Sequence, residues 1–185
     1  LGPLVATAAA FEFPAGRDTA HWLQVGRRLG VDDSKSTAAF GKVGLAESLA
    51  LAAHRRLVGT PPETFDQFIE GLGLDSPAHL RKRCPGSSEA QCWSEVVALP
   101  CFGGNLERGE EILDALASEG VELRWLGSAQ ACTGALNEAL QEGRNRLQMD
   151  LELFEQLVRE ARAAAGADLR ATCGMVGGLR RYLPR

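Results

Sequence analysis

The sequence lacks most of the features that identify an active site or a cellular address by themselves. It has no apolar run of the roughly 18 residues that a membrane-spanning helix needs, and no basic segment followed by an apolar one at its start, as in a secretory signal. Its three histidines form no HExxH or HxH motif, and Ser34 lies in DDSKS rather than in a GxSxG elbow. These absences predict a protein that is not embedded in a membrane, and they exclude the usual zinc-peptidase and α/β-hydrolase signatures.

Cysteine is present in an odd number and without pairing motifs. The chain has five cysteines and no CxxC pair, which argues against a complete disulfide framework. A zinc site built from Cys84, Cys92 and Cys101 would lack the close ligand pairs that such sites use. We therefore predict reduced thiols, a cytoplasmic location and no metal site made of cysteine.

The bulk composition is that of an ordinary soluble domain. With 185 residues, of which 45% are hydrophobic and 24% charged, the chain is long enough for one core of its own. We predict a single domain over residues 1–185, with a loop or insertion at residues 74–92. A start at Leu1 is consistent with an incomplete domain or with a processed product. The net charge of −4 means that the surface as a whole does not attract nucleic acid, although a local basic patch remains compatible with it.

Alternating strand and helix patterns predict the α/β fold class. Strands, or extended segments, are predicted at residues 4–13, 92–105, 121–128 and 168–176, the first of them largely buried. Helices are predicted at residues 45–57, 62–74, 109–120 and 134–165, with Gly143 as a point where the last one divides. Residues 21–31 fit either a short helix or an irregular crossover.

Two local predictions concern the helix at residues 45–57. Its apolar residues recur every four positions, and His54, beside two arginines, is predicted to lie on its surface. Thr60 and Pro61 are predicted to supply the N-cap and the first-turn proline of the next helix.

The glycine-rich segment TCGMVGGLRRY, residues 172–182, raises the question of phosphate binding. Glycines after a strand allow backbone N–H groups to surround a phosphate, but this segment lacks the GxxxxGKS/T pattern, and the chain ends three residues after Tyr182. The pattern favours a plain turn, and a small nucleotide-binding α/β protein stays as an alternative function.

The order of three segments resembles type 2 ribonucleases H (ribonuclease HII). LGPLVATAAAF resembles the strand that follows the DEAGxGP signature of that family, and LGVDDSKS contains its DSK motif ahead of a helix. Trp93, Asn137 and CGMVGGLRRY resemble C-terminal features of a divergent bacterial branch of the family. The resemblance implies a ribonuclease-H-like mixed sheet flanked by helices.

The family resemblance also implies an activity and a cofactor. These enzymes cleave RNA paired with DNA, using carboxylates that hold Mg²⁺ or Mn²⁺. In this sequence Gly174 occupies the position expected for a metal-binding aspartate, and Met175 that of the following lysine. The DEAG carboxylates would precede Leu1. The catalytic residues are therefore unknown, no metal ligand is predicted from this chain, and the chain is expected to be inactive, as a truncated enzyme or a pseudoenzyme.

Nucleic-acid contacts are predicted at four positions of the resemblance, namely Ser34, Lys35, Asn137 and Arg180. Lysine, serine and backbone N–H groups contact phosphates without reading sequence, which suits recognition of an RNA–DNA hybrid. Each position also has a simpler interpretation as a capping, helix-terminal or solvated residue. A second alternative function is thus a non-catalytic nucleic-acid or protein binding module of the same fold.

Overall fold

A computed structural model describes residues 3–32, 41–82, 96–166 and 168–172. Over these residues the fold is mixed α/β and mostly helical, which confirms the coarse prediction of helices with strands, while the ribonuclease-H-like mixed sheet stays a prediction. In chain order the elements are β1 (Leu4–Glu12), α1 (Thr19–Leu29), α2 (Gly44–Val58), α3 (Phe65–Leu72), α4 (Pro77–Lys82), α5 (Leu106–Ser118), β2 (Glu122–Ala131), α6 (Thr133–Gln141) and α7 (Arg146–Ala165).

Within the described ranges, β1 and β2 form a two-stranded antiparallel sheet. Two isolated bridges add short extended contacts: Thr64 pairs with Ala98 in antiparallel fashion, and Gly73 pairs with Ser128 in parallel fashion. The predicted strands at residues 4–13 and 121–128 therefore correspond to β1 and β2. Of the extended segment predicted at residues 92–105, the structure describes residues 96–105, and within them the pairing is centred on the bridge at Ala98.

The chain forms two compact units, each made of separate stretches of sequence. One comprises Ala9–Leu72 and Val96–Leu126 and is called here the α2/α5 unit. The other comprises Leu1–Ala8, Gly73–Glu95 and Gly127–Arg185 and is called the α6/α7 unit. The single domain over residues 1–185 remains a prediction.

The α2/α5 unit is centred on the contact between its two long helices. Ala52 and Ala53 of α2 are buried together with Leu113 of α5. The helix backbones approach so closely at Gly109 that a Cβ atom there would lie 2.0 Å from the carbonyl oxygen of Ser48. Only glycine leaves room for this approach, and it allows α5 to lie directly on α2.

The α6/α7 unit has a core of apolar side chains around β2 and its two long helices. Its buried cluster contains Leu4, Ala131, Leu136, Ala139 and Met149. Gly143, with a φ of +82°, lies between α6 and α7, so the predicted division of the long helix at this glycine is confirmed. Asn145 then starts α7 with a capping box, because the Asn145 side chain accepts from the Gln148 N–H and the Gln148 side chain accepts from the Asn145 N–H.

Four local predictions differ from the structure. The helix after Thr60 begins only at Phe65, since residues 63–65 are used as an extended partner of residues 97–99: the Leu99 N–H donates to the Glu63 carbonyl, and the Phe65 N–H to the Val97 carbonyl. Thr64 supplies the local cap, with its Oγ1 accepting from the Gln67 N–H at 3.3 Å.

The second difference lies in the predicted loop at residues 74–92, which contains helix α4. Ser76 Oγ accepts from the His79 N–H at 3.2 Å, and Leu80 is fully buried. A helix of six residues with one fully buried apolar side chain has too little periodicity to be recognised from the sequence. Residues 83–92 of the predicted loop lie outside the described residues.

The other two differences concern predicted strands. Only one face of β1 is buried: Leu4, Ala6 and Ala10 are covered, whereas Val5 and Phe11 are 57% and 39% exposed. Continuous apolar sequence therefore does not mean burial on both faces here. Residues 168–172 of the last predicted strand have no regular secondary structure, and its remainder lies outside the described residues.

None of the helices in the described ranges is both long and apolar enough to cross a membrane.

Candidate functional site

Of the residues singled out from the sequence, the structure describes only part. Asn137 lies in the second turn of α6 and is exposed to solvent. Ser34, Lys35, Gly174 and Arg180 lie outside the described residues. The grouping of the four predicted nucleic-acid contacts therefore stays a prediction, and the described part contributes one exposed amide to it.

Asp32 is the described member of the DDSKS segment. Its Oδ2 lies 4.0 Å from the Nε of Arg27, and both side chains are at least half exposed. The pair is thus a weak surface contact. Asp33 lies outside the described residues.

The metal implied by the ribonuclease HII resemblance does not fit the described part of the chain. Two-metal hydrolysis needs several carboxylate oxygens around one point. Among residues 3–32, 41–82, 96–166 and 168–172, no group of three histidine, cysteine, aspartate or glutamate side chains is placed to hold a metal ion. No hydrolytic step can be assigned to these residues.

Most arginines of the α2/α5 unit are balanced by acidic partners, which limits the described surface as a phosphate-binding site. Arg28 lies 2.6 Å from Glu119, Arg55 lies 2.8 Å from Glu110, and Arg56 pairs with Asp114. The hydrogen bond from Arg28 lowers the pKa of Glu119. A phosphate would have to compete with a carboxylate at each of these guanidinium groups.

Arg124 shows the same balance on β2. It lies 2.7 Å from both Glu12 and Glu122. The hydrogen bond that Arg124 donates to Glu12, together with the charges of both carboxylates, raises the pKa of Arg124. A phosphate at Arg124 would likewise compete with two carboxylates.

Glu47 holds the loop that leads into α5. Its carboxylate accepts from the backbone N–H groups of Cys101, Phe102 and Gly104 at 2.7, 2.8 and 2.7 Å. Next to it, Ser48 Oγ accepts from the Asn105 N–H at 2.8 Å. Converging N–H groups of this kind form an anion site, and here the anion is supplied by α2 itself.

The surroundings of Glu47 set its acidity and that of its neighbour. Burial tends to raise the pKa of Glu47, but the hydrogen bonds from Cys101, Gly104 and Phe102 outweigh it, and the pKa lies below the ordinary value of 4.5. Burial, with the hydrogen bond and charge of Glu47, raises the pKa of the Cys101 thiol. Cys101, although exposed, is thus poorly suited to act as a nucleophile.

His54 lines a cleft of about 460 Å³ between α2 and α3, together with Thr60, Glu63, Gln67, Glu70 and Gly71. The prediction that His54 lies on the surface is wrong, since its side chain is only 2% exposed. Nδ1 lies 2.9 Å from the Thr60 carbonyl oxygen and Nε2 lies 3.2 Å from the Gln67 carbonyl oxygen. Sequence reasoning missed it because the adjacent arginines suggest a solvated face, whereas α2 is buried over an unbroken run from Leu51 to His54.

Gln130 is the other buried polar group that sequence reasoning did not single out. It lies on β2, is 1% exposed, and donates from Nε2 to the hydroxyl of Ser128. Its Oε1 has no hydrogen-bond partner in the described part of the chain. The only sign in the sequence that this amide is buried would be its position in an apolar strand.

Comparisons of this chain with protein-family models, with curated proteins and with solved structures find no match.

Proposed function

We propose that this chain is a ribonuclease-HII-like protein that binds RNA–DNA hybrids and does not hydrolyse them as it stands. The observation that carries the proposal is the order of its elements. A strand follows the Gly2-Pro3 step, a helix follows the DSK motif, and an exposed asparagine lies on the helix after β2. A ribonuclease-H-like mixed sheet flanked by helices is the finer fold that we propose with it.

The inactive state follows from chemistry at the position expected for a metal ligand. Gly174 has no ligand atom, and the described residues hold no carboxylate cluster. Without hard oxygen ligands, Mg²⁺ or Mn²⁺ has nothing to position it beside a scissile phosphate. A complete active relative would need these ions, whereas hybrid binding by this chain would not.

Lys35 allows a direct test of the binding site. We expect Lys35→Ala to weaken binding of a labelled RNA–DNA hybrid, and to lower the salt dependence of log K by about 1, the amount expected for one lost phosphate contact. Lys42 lies seven positions further along the sequence and is exposed, so Lys42→Ala serves as the matched control, with little change expected. Equal effects of both substitutions would contradict a specific role for the DSK lysine.

Hydrolysis is tested separately on the same hybrid. With Mg²⁺ or Mn²⁺ added, a labelled hybrid should stay intact in a denaturing gel. Cleavage that disappears with a chelator would contradict the inactive part of the proposal and leave the binding part standing.

Exposed apolar residues favour a protein partner as the second candidate function. In the α2/α5 unit Phe13 and Leu23 are 52% and 54% exposed, and the Phe13 ring centroid lies 5.1 Å from that of Trp22. A second copy of the chain is the partner that can be tested directly. Concentration-dependent association that is lost in Phe13→Ser would favour this function, and a monomer at all concentrations would oppose it.

A further inference from the structure

His54 meets a hydrogen-bond acceptor at each of its two ring nitrogens. Nδ1 lies 2.9 Å from the carbonyl oxygen of Thr60, and Nε2 lies 3.2 Å from that of Gln67. A backbone carbonyl oxygen only accepts, and a neutral imidazole carries one N–H, whereas the imidazolium ion carries two. Only the doubly protonated ring can therefore donate to both oxygens at once.

The His54 ring has little freedom to turn away from these two carbonyl oxygens. It is 2% exposed, and it stacks on Phe68 of α3 with ring centroids 5.7 Å apart and an interplanar angle of 27°. A Cβ atom at Gly71 would lie 2.3 Å from Nε2. The aromatic face on one side and the α3 backbone on the other keep both nitrogens directed at their carbonyl partners.

The charged side chains of the elements next to His54 lie on α2, on α3 and on the connection between them. Glu63 of the α2–α3 connection and Glu70 of α3 line the same cleft as His54, and α3 also carries Asp66. On α2 itself the flanking Arg55 and Arg56 are ion-paired with Glu110 and Asp114 of α5. Stacking of a cation on the Phe68 ring adds a further favourable contact.

We propose that His54 is a pH-sensitive contact that joins α2 to the start of the α2–α3 connection, at Thr60, and to the first turn of α3, at Gln67. In the protonated ring, the Nδ1 and Nε2 protons donate to Thr60 and Gln67 and hold the start of α3 against α2. When the ring loses one of these protons, the bare ring nitrogen and its carbonyl oxygen both present lone pairs, and that hydrogen bond is lost. The Gln67 contact is the longer one and is the first to open, so the first turn of α3 is released. This inference does not depend on hybrid binding.

The test is an NMR titration of the full chain with ¹⁵N-labelled histidine, from about pH 5 to about pH 8, the range in which histidines change charge. We expect both ring nitrogens of His54 to be protonated at the acid end. As the ring loses a proton, the amide signals of residues 65–71 should shift and their protection from hydrogen exchange should fall relative to α7. A ring with one proton on the same nitrogen throughout, or a titrating ring with unchanged α3 signals, would overturn the proposal.

A pair of variants separates His54 from general effects of pH. His54→Gln cannot change charge, so the pH response of α3 should disappear. His79→Gln removes a half-exposed histidine on α4 that lies 3.8 Å from Asp75, and the pH response of α3 should remain. A response that persists in His54→Gln overturns the proposal, and if this variant does not fold, the titration of the unmodified chain decides alone.

Discussion

The α2/α5 unit and the α6/α7 unit reach their stability by different means. In the α2/α5 unit, backbone atoms of two helices touch at Gly109, and a carboxylate and a hydroxyl of α2 bind the backbone of the loop before α5. In the α6/α7 unit, apolar side chains form the core, and a capping box starts the long helix. Both units bury apolar side chains, and the α2/α5 unit adds to them a close backbone contact between helices and charged and polar contacts to the backbone.

This difference predicts where each unit tolerates change. Where the helix backbones touch at Gly109, there is no space for an added atom. The hydrogen bonds from the Cys101, Phe102 and Gly104 N–H groups to Glu47, called here the Glu47 clamp, depend on one charge. A side-chain core can adjust by shifting rotamers, and a cap contributes only a modest part of helix stability. The same class of substitution should thus have unequal effects in the two units.

The largest effect is expected for Gly109→Ala. The new Cβ would lie 2.0 Å from the Ser48 carbonyl oxygen and 2.8 Å from the Ala52 Cβ. Separating α5 from α2 should cost about 3 kcal/mol of unfolding free energy, measured by urea titration. Gly143→Ala in the α6/α7 unit has open space around it but a φ of +82°, and should cost only about 1 kcal/mol. Equal costs would contradict the contrast between the units.

A smaller effect is expected for Glu47→Gln. The amide keeps one acceptor oxygen but loses the charge that three N–H groups share, so unfolding free energy should fall by about 2 kcal/mol. Glu138→Gln, at an exposed position of α6, is the matched control and should change little. Amide exchange of residues 101–104 should rise in Glu47→Gln alone, and unchanged exchange there would rule out the clamp.

The capping box of α7 should contribute less than the clamp. Asn145→Ala removes the acceptor for the Gln148 N–H, which lies at 3.0 Å, and should cost about 1 kcal/mol in thermal or urea unfolding. Asn137→Ala changes an exposed residue within α6 and is expected to leave stability unaltered. If the two variants unfold alike, the cap does not stabilise α7.

The smallest effect expected is a dependence on pH of the stabilisation that Glu47 provides. The folded-state pKa of Glu47 lies below the ordinary value of 4.5, so its stabilisation is present above that pH and is lost as the pH falls through the lowered pKa. The stability difference between the unmodified chain and Glu47→Gln should therefore narrow only under acid conditions. Urea titrations at a series of pH values would show it, and a difference that is constant into strong acid would be the contrary result.

Much of the α/β pattern could be predicted from the sequence because apolar periodicity and glycine positions are local signals. The division at Gly143 and the strand at residues 121–128 are examples. The start of α3 could not be predicted in this way, because residues 63–65 pair with a segment more than thirty positions away along the sequence. Thr60-Pro61 is a sound local start signal that a tertiary contact overrides.

The candidate site was harder to predict than the fold. His54 lies beside two arginines, which suggests a solvated face, and its burial depends on Phe68 and Gly71 of another helix. The Glu47 clamp likewise joins residues more than fifty positions apart. Residue types near one another in sequence carry no signal of such contacts. Asn137, in contrast, was correctly placed on a helix.

Hybrid recognition is tested most directly by titrating one labelled RNA–DNA hybrid and the DNA duplex of the same sequence with this chain, at one fixed salt concentration. The proposed function predicts saturable binding that is tighter for the hybrid, because shape and 2′-hydroxyl contacts distinguish it from DNA. Equal affinity for both duplexes, or no saturation up to about 100 µM, the range of non-specific binding, would contradict it.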